Sequence, residues 1–172
     1  MRALALGLLV VPFGCPGRAA PPLDGAGVVS VEWTASRTGR FAARPDVSWC
    51  PADSMVEILA IRGDTAFGLM LLAQDSLRLG QFPVVSGAVS SNWRPLAFGA
   101  LRLVNDSANI GFEATGGNVQ VSRADGGFVS GTIDARFKLV DGPDTLRLTG
   151  KFLDLVIKPA VGLCGRAFKP RP

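Results

Sequence analysis

The sequence predicts an all-β domain, an antiparallel β-sandwich, and three observations carry that prediction. Apolar and polar residues alternate with a period of two in several segments, the signature of strands with one face hidden and one in water. Clusters of Gly, Asp, Asn and Pro separate these segments at short intervals, as turns require. No stretch keeps its apolar residues at the helical period long enough to build a helical layer.

The first strand is read from Val29, where Val29, Val31 and Trp33 alternate with Ser30, Glu32 and Thr34. Val56, Ile58 and Ala60 then lead into Arg62-Gly63-Asp64, beyond which Phe67, Leu69 and Leu71 share a face. A hairpin bent at Arg62-Gly63-Asp64 is predicted there rather than a short helix over 55–61, because β-branched residues around a tight turn favour strands. A strand-like stretch over 82–85 precedes the small, polar segment 86–95. Further strands are predicted over 98–104, 108–115 and 118–123, punctuated by Asn105-Asp106-Ser107, Gly116-Gly117 and Asp125-Gly126-Gly127.

The clearest strand sets Ile133, Ala135, Phe137 and Leu139 against Thr132, Asp134, Arg136 and Lys138. Its hairpin partner carries Leu146, Leu148 and Phe152 opposite Arg147, Thr149 and Lys151, across the turn Asp141-Gly142-Pro143-Asp144. After Phe152 the apolar phase shifts to Leu153, Leu155 and Ile157, which predicts a bulge or a strand that changes sheets. Many short strands of this kind pack as a sandwich. The alternative closure is a calycin-like β-barrel, whose inward Phe, Leu and Val side chains would line a cavity for a small apolar ligand.

The N-terminus reads as an export signal: Met1-Arg2, an apolar run from Ala3 to Val11, then the small residues around Gly14-Cys15 and Gly17-Arg18-Ala19-Ala20. The run falls short of the about 20 apolar residues a membrane-spanning helix needs. A cut after Ala19 makes residues 1–19 the signal and 20–172 a secreted single domain. A cut after residue 14 leaves Cys15 as the new N-terminus. Here Gly14-Cys15 resembles the signal region of bacterial lipoproteins, with Pro12 and Phe13 standing where that pattern has Leu and a small residue. The resemblance covers these fifteen residues alone. It implies a lipid on Cys15, a membrane anchor and, because Pro16 is not the aspartate that retains such proteins at the inner membrane, the outer membrane. The expected location is therefore periplasmic or outer-membrane-anchored, with secretion as the alternative.

Cysteine usage agrees with export. Either cut accounts for Cys15 and leaves Cys50 and Cys164, a pair suited to a structural disulfide in an oxidising compartment. Such a bridge closes a loop of more than a hundred residues, worth at most ~4 to 5 kcal/mol in the chain-entropy account. A redox motif is excluded because Asp53 stands where the second cysteine of Cys-x-x-Cys belongs.

Composition bounds the function. About 150 residues after signal removal suit one core, and 48% hydrophobic against 19% charged residues excludes a disordered chain. The formal charge of +4 is interleaved along polar faces rather than gathered in a stripe, so no nucleic-acid partner is expected. Histidine and tyrosine are both missing, which removes the usual general base of a nucleophilic hydrolase, and no phosphate-loop, dinucleotide or nucleophile-elbow motif occurs. Carboxylates remain as an acid–base pair, with Glu32, Glu57, Glu113, Asp134 and Asp154 on predicted strands, each at a polar alternation position that reads as a solvated face. Asp106, Asp125, Asp141 and Asp144 sit in turns and form no calcium-loop signature, so no cofactor or metal is expected.

One segment suggests binding. Asn92-Trp93-Arg94 places an indole beside an amide and a guanidinium in a predicted loop, a set able to stack on a sugar or anchor a protein partner. Trp33 and Trp49 are assigned to the core or to covering the disulfide. The sequence thus predicts an exported, envelope-associated, non-catalytic binding or structural module of unspecified protein or glycan ligand. A barrel for a small apolar ligand is the alternative, and a carboxylate-dependent hydrolase, needing two acids in one cleft, stands third.

Overall fold

The structure, a computed structural model, describes residues 25–34, 38–87, 94–105 and 108–160. Among them it is all β, as the alternation requires. The strands are β1 (Val28–Thr34), β2 (Gly39–Ala43), β3 (Asp46–Cys50), β4 (Met55–Arg62), β5 (Thr65–Leu72), β6 (Gly80–Pro83), β7 (Leu96–Asn105), β8 (Ala108–Asp125), β9 (Phe128–Leu139), β10 (Thr145–Val156) and β11 (Lys158–Pro159). A single 3-10 turn, Pro51–Asp53, interrupts them among the described residues.

All strands belong to one sheet in the order β11-β3-β4-β5-β7-β8-β9-β10-β1-β2, with β6 pairing the distal half of β8. Among the described residues every strand pairing is antiparallel except β11 on β3, and a single further bridge, Val84 to Ala97, is also parallel. The ladder is thus one continuous, strongly curled sheet, a half-barrel, nearer to the rolled alternative than to two stacked sheets.

Connectivity forces the curl. β2 and β3 lie toward opposite ends of the ladder, yet only Arg44 and Pro45 join them. Two linking residues reach about 10 Å, so the sheet must bend round until its two edges meet. The pairings also make β2 and β3 run in the same sense, β2 against β1 and β3 against β4. They are two halves of one kinked run, and Pro45, which has no amide proton to give a ladder, sits at the kink. A side chain braces the same seam: Arg62 Nη1 donates to the carbonyl of Ala42 at 3.0 Å.

The interior is filled. Val29, Val31, Ile58, Phe67, Leu69, Leu71, Leu148 and Phe152 belong to one buried cluster drawn from strands all around the curl. Small residues make room for rings: a Cβ on Gly99 would stand 3.0 Å from Phe137 Cζ, and one on Gly131 would stand 2.5 Å from Phe152 Cζ. The alternation of β9 is met residue by residue, with Ile133, Ala135 and Phe137 buried and Thr132, Asp134, Arg136 and Lys138 exposed. The phase change after Phe152 is also present, as a bulge between Phe152 and Leu155 with Asp154 at φ 47.

Three expectations differ in detail. The segment 55–61 is strand, but Met55, Val56, Glu57 and Ile58 are all buried, because the outer face of β4 is covered as well as the inner. Residues 108–125 form one strand rather than two. Gly116-Gly117 is not a turn but part of a bulge, where Gly117 takes φ 124 and β9 keeps pairing on both sides. The strands β2 and β3 replace a stretch to which no element is assigned from sequence. Arg62-Gly63-Asp64 is the expected bend, with Gly63 at φ 55.

A cleft at one pole of the half-barrel

Alternating strand directions put the ends of β1, β4, β7 and β9 at one pole, and the end of β8 with the start of β1 at the other. The first pole holds a cleft of about 280 Å³. Its apolar walls are Trp33 from the end of β1, Leu103 from β7, Ile110 and Phe112 from β8, Leu139 from β9 and Leu146 from β10. These lie on the inward face near the strand ends, in phase with the buried residues Leu101, Ala114 and Phe137. Asn109, Asp141, Asp144 and Thr145 complete the lining at the exposed rim.

Trp33 is 7% exposed and is held by β2: its indole lies over Gly39, its cross-strand neighbour. Asp141 and Asp144 come from the β9–β10 turn, which is fixed by the amide of Leu139 donating to the carbonyl of Asp144 at 2.8 Å. Asn109 Oδ1 accepts from Arg102 Nε at 2.6 Å, which keeps that guanidinium off the lining.

The acids singled out from sequence are scattered. Asp134 forms a two-pronged pair with Arg147 on the outer face, at 2.9 and 2.6 Å, and the guanidinium hydrogen bonds hold its carboxyl below the usual range. Asp154 accepts from Arg123 Nη1 at 2.6 Å and from Ser130 Oγ at 3.2 Å, and those bonds, Arg123 first, lower its carboxyl too. Arg123 also binds Asp125 at 2.8 Å and lies 4.8 Å from the centre of the Phe128 ring. Glu113 accepts from the amide of Gly87 at 2.5 Å. Glu57 is buried on the outer face of β4 and Glu32 is exposed on β1. None of these five lines the cleft. The two acids that do, Asp141 and Asp144, are turn residues to which the sequence assigns only turn and calcium roles. Among the described residues no three metal-ligating side chains gather.

Of the loop set proposed for ligand contact, Asn92 and Trp93 lie outside the described residues. Arg94 lies at the pole opposite the cleft, just ahead of β7, where its Nη1 donates to the carbonyls of Asp53 at 2.5 Å and Ala73 at 3.1 Å. Trp49 packs partly buried against the core, as expected. Cys50 closes β3, fully buried and bonded rather than free. Cys15 and Cys164 lie outside the described residues.

The cleft is the feature that alternation alone does not reveal, since its walls come from five strands that only the curl brings together. No family model, curated protein or solved structure matches this chain.

Proposed function

We propose that this chain is an exported, envelope-associated, non-catalytic module that binds a small, largely apolar ligand in the cleft at one pole of its half-barrel. The observation that carries the reading is the cleft itself. At about 280 Å³ it approaches the lower end of ligand pockets, about 300 Å³, and it follows their usual pattern of apolar walls with a few polar groups at the rim. Among the described residues a buried apolar cluster occupies the middle of the curl, which favours the mouth as the binding place.

In this reading the signal ends before Cys15, which carries lipid and tethers the single domain to the outer membrane; a cut after Ala19 gives the soluble form. The start of β1 and the end of β11 both lie at the pole opposite the cleft, so a tether at the N-terminus leaves the mouth free. A disulfide between Cys50 and Cys164 belongs to the same proposal. β11 runs parallel to β3, and the amide of Ala160 donates to the carbonyl of Trp49 at 3.1 Å, which brings the chain beside Cys50 four residues before Cys164. Four residues reach about 13 Å, ample for the roughly 5 to 6 Å Cα separation of a bridge.

Calorimetric titration with n-octanol tests the binding reading. Wild type binds it at the cleft, and Ile110→Trp, which fills the space from a partly buried position, abolishes binding while leaving the unfolding transition in place. Absence of binding by wild type, or equal binding by Ile110→Trp, overturns the proposal. Intact mass spectrometry checks the tether and bridge: a diacylglyceryl mass on Cys15, and a gain of two hydrogens on reduction.

A further inference from the structure

We infer that the cleft selects ligands carrying positive charge at one end of an apolar body, that is, alkylammonium-type amphiphiles over neutral or anionic ones; the inference rests on the binding reading above. Trp33, Leu103, Ile110, Phe112, Leu139 and Leu146 would enclose the body. Among the described residues, the charged side chains in the lining are Asp141 and Asp144, both from the β9–β10 turn. Neither carboxylate has a hydrogen bond or ion pair with another described residue, whereas Asp125, Asp134 and Asp154 are each matched by an arginine. The Arg102 guanidinium is tied to Asn109, and Arg102 does not line the cleft.

Two unmatched carboxylates beside an apolar hollow create a local negative field that an ammonium group satisfies and a sulfate opposes. Here the bend is held by the backbone of Asp144, so the side chains are left for another partner.

The test compares octyltrimethylammonium, n-octanol and octyl sulfate, all below their micelle concentrations, on wild type and on the double variant Asp141→Asn/Asp144→Asn. Wild type is expected to bind the cation about five- to tenfold more tightly than the alcohol at low salt, the range two exposed charge contacts supply, and the sulfate most weakly. The double variant should keep its affinity for octanol and lose the preference for the cation; added salt should shrink that preference in wild type. Equal binding of cation and alcohol by wild type, a preference for sulfate, or a preference that survives in the double variant overturns this inference while octanol binding still upholds the cleft. Failure of all three probes overturns both.

Discussion

The indole of Trp33 rests on Gly39. A Cβ at that glycine would collide with Cζ2 and Cε2 of the ring and stand 2.8 Å from Nε1. The absence of a side chain on β2 is therefore what lets Trp33 lie flat as a wall of the cleft, an aromatic ring covering a cross-strand glycine.

Gly39→Ala should lower stability by about 1 to 3 kcal/mol through overpacking and push the indole into the cleft. Gly111→Ala is the control, since a Cβ there meets Val140 Cγ2 at an ordinary 3.6 Å. Urea unfolding of both variants checks this: the midpoint falls for the first with little change in slope, and barely moves for the second.

Arg62 fastens the seam between the two edges of the sheet by its bond to the Ala42 carbonyl. Arg62→Met, which keeps much of the stem and removes the donor, should cost about 1 kcal/mol, the net worth of one hydrogen bond. Hydrogen exchange should show the amides of β2 opening faster while those of β9 keep their protection.

Asp154 sits at φ 47 in the bulge of β10, and its amide donates to Ser130 Oγ at 2.8 Å. Its folded carboxyl is lowered by Arg123 and then Ser130, so it stabilises the fold above the unfolded carboxylate range, near about 3.9, and that contribution is lost as pH falls through the folded value. Asp154→Asn accepts the left-handed backbone but cannot titrate. Its stability should lie below wild type at pH 7 and converge with it in acid. Asp154→Ala, which strains that backbone, should be less stable than Asp154→Asn at every pH. Denaturation curves across the acid range decide both points.

Much of the fold was legible from the residues alone. The alternation of Ile133 to Leu139, the turn at 141–144 and the phase slip after Phe152 each depend on neighbours in sequence, and each is present. What alternation conceals is long-range. The strands β2 and β3 are short and split by Pro45, so neither shows enough period to be read; they are recognisable only as the kinked run that ties the edges of the sheet. Gly116-Gly117 has turn composition, yet the continuous pairing of β9 holds it within a strand. The cleft was invisible for the same reason, because Trp33 and Leu103 come from strands far apart in the chain. Asp141 and Asp144 were visible as turn residues, but their apolar neighbours across the curl were not.

The proposed bridge from Cys50 to Cys164 should be worth about 2 to 4 kcal/mol. Cys164→Ser exposes this without burying a new hydroxyl at Cys50. It should unfold at lower urea than the oxidised wild type and match the reduced wild type. Equal midpoints for oxidised protein and variant would contradict the pairing.

Amide and indole chemical-shift mapping during titration with n-octanol decides whether the cleft is the binding place. Saturable shifts are expected at the Trp33 indole and at Leu103, Phe112, Leu139 and Leu146, with the opposite pole unmoved. Shifts confined to the surroundings of Asp53, Ala73 and Arg94, or none at all, would contradict binding at the cleft.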